Sequence, residues 1–105
     1  MKAETLSPFA APALLVLATL ADGPKHGYAI MQEAEAMTGQ PLGPGTLYAA
    51  LVRLERRGLI VGLPAEERRR PYRLTAFGAT TLQAHASQMR SFAHQTLRRL
   101  EGGAV

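Results

Sequence analysis

At 105 residues, 47% of them hydrophobic and 19% charged, the chain has material for one domain with one modest core. Its net charge of +4 favours polyanionic partners, nucleic acid first among them. The lack of cysteine excludes disulfides, thiolate metal sites and a cysteine nucleophile, and makes a reducing cytoplasm the expected location.

In chain order, Met1 to Leu6 reads as a loose arm. Ser7-Pro8 offers one helix start and Pro12 a second, a turn later. Leu14, Leu15, Leu17 and Leu20 make the first helix apolar nearly all round, so it must be covered on several sides. The prolines interrupt it, and it falls short of about 20 residues, so it is expected to be a core helix and not a membrane span. Ala21-Asp22-Gly23-Pro24 is a turn. His26-Gly27 opens a second helix closing at Thr38-Gly39, with His26 expected as a cap or a hydrogen-bond partner near its first turn and Tyr28 as a core residue.

The third helix follows Gly43. Pro44 suits its first turn, Gly58 its end, and Leu47, Leu51 and Leu54 recur at i, i+4 and i+7 as a buried stripe. Its other side carries Thr46, Tyr48, Ala49, Val52, Arg53, Arg56 and Arg57. Small residues first and arginines later suit entry into a groove by the N-terminal end, with phosphates met further along. Taken alone, the same segment also fits a plain amphipathic surface helix.

Leu59 to Leu63 reads as a strand, Ala65 to Arg70 as a charged turn and Tyr72-Arg73-Leu74 as a returning strand. Thr75 is an expected N-cap for a helix from about Ala76 to Glu101, which Gly102 and Gly103 end. Along it Leu82, Ala86, Met89, Ala93, Leu97 and Leu100 are spaced by three or four. About 26 residues at ~1.5 Å each give roughly 39 Å, more than a small three-helix core can cover, so pairing with a second copy is the expected outlet. The predicted fold is mainly α with a small β-hairpin. A winged helix-turn-helix domain over 1–75 leads into a dimerisation helix and short tail over 76–105, in one structural unit.

On this architecture Gly45, Thr46, Ala49 and Arg53 are expected to meet bases, Tyr48, Arg56 and wing residues Arg68, Arg69 and Arg70 to meet backbone or minor groove, and Pro44 to be a further DNA contact at the start of the helix. Lys25 is a further phosphate candidate, although a lone lysine in a turn is usually just solvated. Tyr48 fits packing beneath the wing as well as it fits phosphate contact. A dimer would set two reading helices about 34 Å apart on a pseudo-palindromic operator.

Taken together, His26-Gly27-Tyr28, Gly43-Pro44-Gly45-Thr46-Leu47-Tyr48, Leu51 to Leu54 followed by Gly58-Leu59-Ile60, and Tyr72-Arg73-Leu74-Thr75 with Gly78 resemble the PadR family of transcriptional regulators. The resemblance runs from about Leu14 to Leu82 and is closest to short-form members, whose last helix crosses to a second subunit. It implies a homodimeric DNA-binding regulator, usually a repressor, under a small-molecule or other signal. Some relatives hold planar ligands between tryptophans. This chain has none, so an effector pocket would be lined by residues such as Phe9, Met89 or Phe92.

Catalysis is not expected, and neither a metal nor a cofactor is called for. His85 and His94 lie nine positions apart and face opposite ways on one helix. Asp22 is the only aspartate, with no nucleophile motif beside it, and Gly43-Pro44-Gly45 lacks the lysine of a phosphate loop. The competing expectations are a winged-helix module that binds a protein partner, and a ligand sensor with weak DNA affinity.

Overall fold

The computed structural model describes residues 11–103. The expected arm, the Ser7-Pro8 helix start and Phe9 lie outside them. In order, the elements are α1 Pro12–Thr19, β1 Lys25–His26, α2 Gly27–Thr38, α3 Pro44–Arg56, β2 Ile60–Gly62, β3 Pro71–Leu74 and α4 Ala76–Gly103.

α1 begins with Pro12 at its first position behind an extended Ala11. It stops at Thr19, just short of the Ala21-Asp22-Gly23-Pro24 turn. The Thr19 hydroxyl donates to the Val16 carbonyl at 2.8 Å, so this buried polar group is satisfied. α2 ends at Gly39 in the left-handed conformation, whose N–H reaches the Glu35 carbonyl at 2.7 Å.

α3 closes with a Schellman motif at Gly58, φ 74°. The Gly58 N–H donates to the Glu55 carbonyl at 3.0 Å, and the Leu59 N–H to the Leu54 carbonyl at 3.0 Å. α4 is anchored to that closure. The Thr75 hydroxyl accepts from the Gly78 N–H at 2.9 Å, as an N-cap should, and donates to the Gly58 carbonyl at 2.6 Å. Gly78 lies so close to Leu59 that a Cβ there would overlap its carbonyl oxygen.

Val16 and Leu17 of α1 with Leu20 just beyond it, Ile30 of α2, Leu47, Ala50, Leu51 and Leu54 of α3, and Leu59 and Ile60 form the core. The leucine stripe of α3 is therefore buried as its spacing demands.

Several expectations need correction. The sheet has three strands, not two, in the order β1-β3-β2. Lys25 and His26 pair with Tyr72 and Pro71, while Ile60, Val61 and Gly62 pair with Leu74, Arg73 and Tyr72. A two-residue strand has no periodicity to read. Gly102 and Gly103 remain helical. Leu82 packs against the core of its own chain, because the close approach at Gly78 brings the first two turns of α4 onto the head. Beyond Leu82 the helix runs clear of it. Ala86, Ala93, Leu97 and Leu100 are exposed and Met89 is half-buried. The molecule is accordingly elongated, 59 × 30 × 20 Å.

Candidate nucleic-acid interface

The exposed side of α3 follows from its buried one. With Leu47, Leu51 and Leu54 inward, rotation of ~100° per residue turns Gly45, Ala49, Val52 and Arg56 straight out, Thr46 and Arg53 to one flank, and Tyr48 and Glu55 to the other. Gly45, Thr46, Ala49 and Arg53 line a groove of about 290 Å³ shared with Pro12 and Ala13 of α1. The four residues expected to read bases thus share one surface. Val52, not among those expected contacts, lies half exposed between Ala49 and Arg56. Its position on the wheel, in line with Gly45 and Ala49, is the signal that marks it.

The N-terminus of α3 suits an anion. Gly43 is extended ahead of Pro44, no side chain caps the first turn, and no acidic residue lies in it. The exposed N–H groups of that turn and the positive end of the helix dipole face outward together.

On the other flank a cleft of about 400 Å³ separates α3 and the start of α2 from the wing. It is lined by His26, Gly27, Tyr28, Tyr48, Arg68, Arg69, Arg70 and Tyr72, with no carboxylate. Tyr48 leans over Gly27, its hydroxyl 3.5 Å from where a Cβ at that glycine would sit, and is still 56% exposed. Tyr28 is 60% exposed and not a core residue. Gly27 takes the buried position against Leu47, and one residue further along the helix Tyr28 is rotated outward, its hydroxyl accepting from Gln32 Nε2 at 3.2 Å. His26 is the extended residue before α2 and makes no side-chain cap. What it supplies is backbone pairing to Pro71.

The wing tip is a two-residue turn. Glu66 and Arg69 exchange backbone hydrogen bonds of 2.7 and 2.8 Å around Glu67 and Arg68, which have φ of 48° and 70°. Positive φ at both central residues is the signature of a type I′ turn, where asparagine and glycine are usual. The turn projects Arg68 and Arg69 as exposed cations.

Two expected contacts are engaged within the chain. The Lys25 side chain is only 14% exposed. Its ammonium donates to the Thr19 carbonyl at 2.6 Å, pairs with Asp22, and lies 3.5 Å from Glu33, so it closes the C-terminus of α1 instead of facing a phosphate. Burial pulls its pKa down, but Asp22 and Glu33 outweigh that and leave it raised. The same hydrogen bond lowers the pKa of Asp22. Arg70 turns back over Gly62 onto α3, with its guanidinium 3.6 Å from Glu55 Oε2 and 5.9 Å from the centre of the Tyr72 ring. Among the described residues no group of side chains could hold a metal, and no helix is long and apolar enough to cross a membrane.

Comparison with known proteins places this geometry. The profile described as "Transcriptional regulator PadR-like family" matches residues 16–84. A 37.1 kDa protein of the Streptomyces fradiae transposon TN4556 is 49% identical over 76 residues, or 72% of this chain; the chain spans 22% of that protein's length. A PadR family transcription regulator from Clostridium difficile superposes with a TM-score of 0.77 at 25% identity, over 87% of this chain and 99% of that one. A PadR family regulator from Eggerthella lenta gives 0.68 at 30% identity, over 85% and 80%. With the helix-turn-helix, the wing and the long last helix all present, the chain belongs to the PadR-like family of transcriptional regulators, a family of DNA-binding regulators and not of enzymes.

Proposed function

We propose that the chain is a sequence-specific repressor that binds duplex DNA as a homodimer in the cytoplasm. α3 enters the major groove N-terminus first. Pro44 shapes the leading turn, Gly45, Thr46, Ala49 and Arg53 meet base edges, and Tyr48, Arg56, Arg68 and Arg69 meet phosphates or the adjoining minor groove. The observation that carries this reading is the carboxylate-free cleft that joins Tyr48 on α3 to Arg68 and Arg69 on the wing. A phosphate backbone running there would touch helix and wing together.

The partner surface is the stripe of Ala86, Met89, Ala93, Leu97 and Leu100, which lies beyond the reach of the head's own core. Two copies joined along it carry two α3 helices, and a spacing of about one DNA turn, roughly 34 Å, calls for a pseudo-palindromic operator. A small-molecule or other signal acts by tilting the dimer seam. α4 is bonded through Thr75 to the end of α3, so a tilt moves the reading helix.

Binding of the purified protein to DNA upstream of its own gene, over a salt series and against unrelated duplex, tests the reading. Preferential binding that persists near physiological salt supports it, and Arg69→Glu should abolish that binding. Equal, salt-sensitive binding to every duplex would mean a merely basic protein. No binding would favour a protein partner.

A further inference from the structure

The wing is a thin ribbon. β2 and β3 pair over three residues, and past the Leu63 N–H bond to the Pro71 carbonyl at 2.8 Å only the tip turn holds the two sides together. β1 pairs with the other side of β3 at Tyr72 and Pro71 and holds the base of the wing to the head, but from Leu63 to Arg70 the ribbon is two-stranded and does not fix its own direction in water. One side chain of the recognition helix ties that ribbon to α3. Glu55 Oε2 accepts from the Gly62 N–H of β2 at 3.2 Å and pairs with Arg70 of the wing at 3.6 Å. The Arg70 guanidinium is held from the other side by the Tyr72 ring, and it can lie flat over β2 only because residue 62 has no side chain.

We infer that Glu55 and Arg70 are positioning residues, a strap that fixes the wing's angle to α3 so that Arg68 and Arg69 meet the duplex together with the reading helix. The inference rests on the proposed DNA-binding function, and it gives Arg70 a different task from its neighbours at the tip. It also explains why a helix that approaches a polyanion carries a carboxylate. Neutralising a negative charge on such a surface should by itself strengthen binding. If Glu55 orients the wing, neutralising it must weaken binding instead, because the competent wing angle is then populated only part of the time and the apparent affinity falls by that fraction.

The test is a cycle of Glu55→Gln, Arg70→Gln and the double variant on the full chain, titrated with the upstream duplex over a salt series and with thermal unfolding as the fold control. Each single variant is expected to lose about three- to tenfold in affinity, and the double no more than either. In Glu55→Gln the dependence on salt is unchanged, since every phosphate contact is still made once bound. Arg69→Ala, by contrast, lowers the slope by about 0.9. Tighter binding by Glu55→Gln, or an Arg70→Gln loss that adds to it and lowers the salt slope, would overturn the inference and make Arg70 a direct contact. The free protein supplies an independent reading. Residual dipolar couplings of the Arg68 and Arg69 amides should shrink relative to those of α3 in Glu55→Gln, and unchanged couplings would also overturn it. If those couplings shrink while Arg68→Ala and Arg69→Ala leave DNA binding intact, the strap stands and the wing's proposed DNA contact falls.

Discussion

The head and the distal half of α4 carry apolar residues at similar helical spacing, yet their surroundings are opposite. In α3, Leu47, Leu51 and Leu54 are 0%, 1% and 2% exposed, whereas Leu97 and Leu100 of α4 are 59% and 60% exposed. Spacing identifies a face that has to be covered but not what covers it. The head covers its own face, since α1 is apolar all round and fits between α2 and α3. Past Leu82, α4 has no such neighbour among the described residues, and its stripe is the basis for proposing a second copy.

Truncating the two stripes in the same manner should have opposite consequences. Leu51→Ala should cost the head about 2–5 kcal/mol, the usual range for a leucine truncated in a packed core. In the isolated subunit Leu97→Ala should cost almost nothing, so chemical denaturation at low protein concentration separates the two. If the proposed dimer exists, Ala93→Glu with Leu97→Glu should yield monomers by sedimentation with an intact head. DNA affinity should then fall by about 100-fold or more, because the second half-site is no longer tethered. Monomers that bind as well as the parent would remove the case for the dimer.

Smaller effects sharpen the account within the head. Glu67→Asn with Arg68→Gly gives the type I′ turn its favoured residues and relieves two left-handed side chains, each worth about 1 kcal/mol. Part of that should appear as a higher unfolding temperature, together with weaker DNA binding because Arg68 is gone. The smallest effect concerns Asp22. Its pKa is held below the ordinary 3.8 by Lys25, so its contribution to stability is present above 3.8 and is lost as pH falls through the lowered value. For Lys25, raised above 10.5, the contribution is present below 10.5 and is lost as pH rises through the raised value. Asp22→Asn should therefore be slightly less stable than the parent at about pH 7, with the difference shrinking as pH falls below 3.8 through the lowered value, as urea unfolding would register.

Most of the fold was legible because its signals are local: Pro44 at the start of α3, Gly39 and Gly58 at helix ends, Thr75 as a cap, and leucine periodicity in between, whereas Ser7-Pro8 and Pro12 were equal candidates for the first helix start. Which side of α3 and of the wing lies exposed was legible, but not which of the candidate residues are engaged within the chain. Lys25 and Arg70 read like any surface cation, and their partners Asp22, Glu33 and Glu55 become visible only once α1, α2 and the wing are folded together. Tyr28 lies outside the core because Gly27 takes the position against α3, where a Cβ would come within 3.3 Å of the Leu47 side chain. The β1 strand was hidden for a similar reason, since two residues pair with β3 only after the hairpin exists.

If α3 and the wing read duplex DNA in two symmetric copies, as proposed, selection from a random-sequence duplex pool should reveal it. The account predicts enrichment of an inverted repeat whose half-sites are centred about one helical turn apart, roughly 34 Å, and loss of that enrichment with Arg69→Glu. A pool that stays random, or one enriched for a single half-site without a mate, would contradict it.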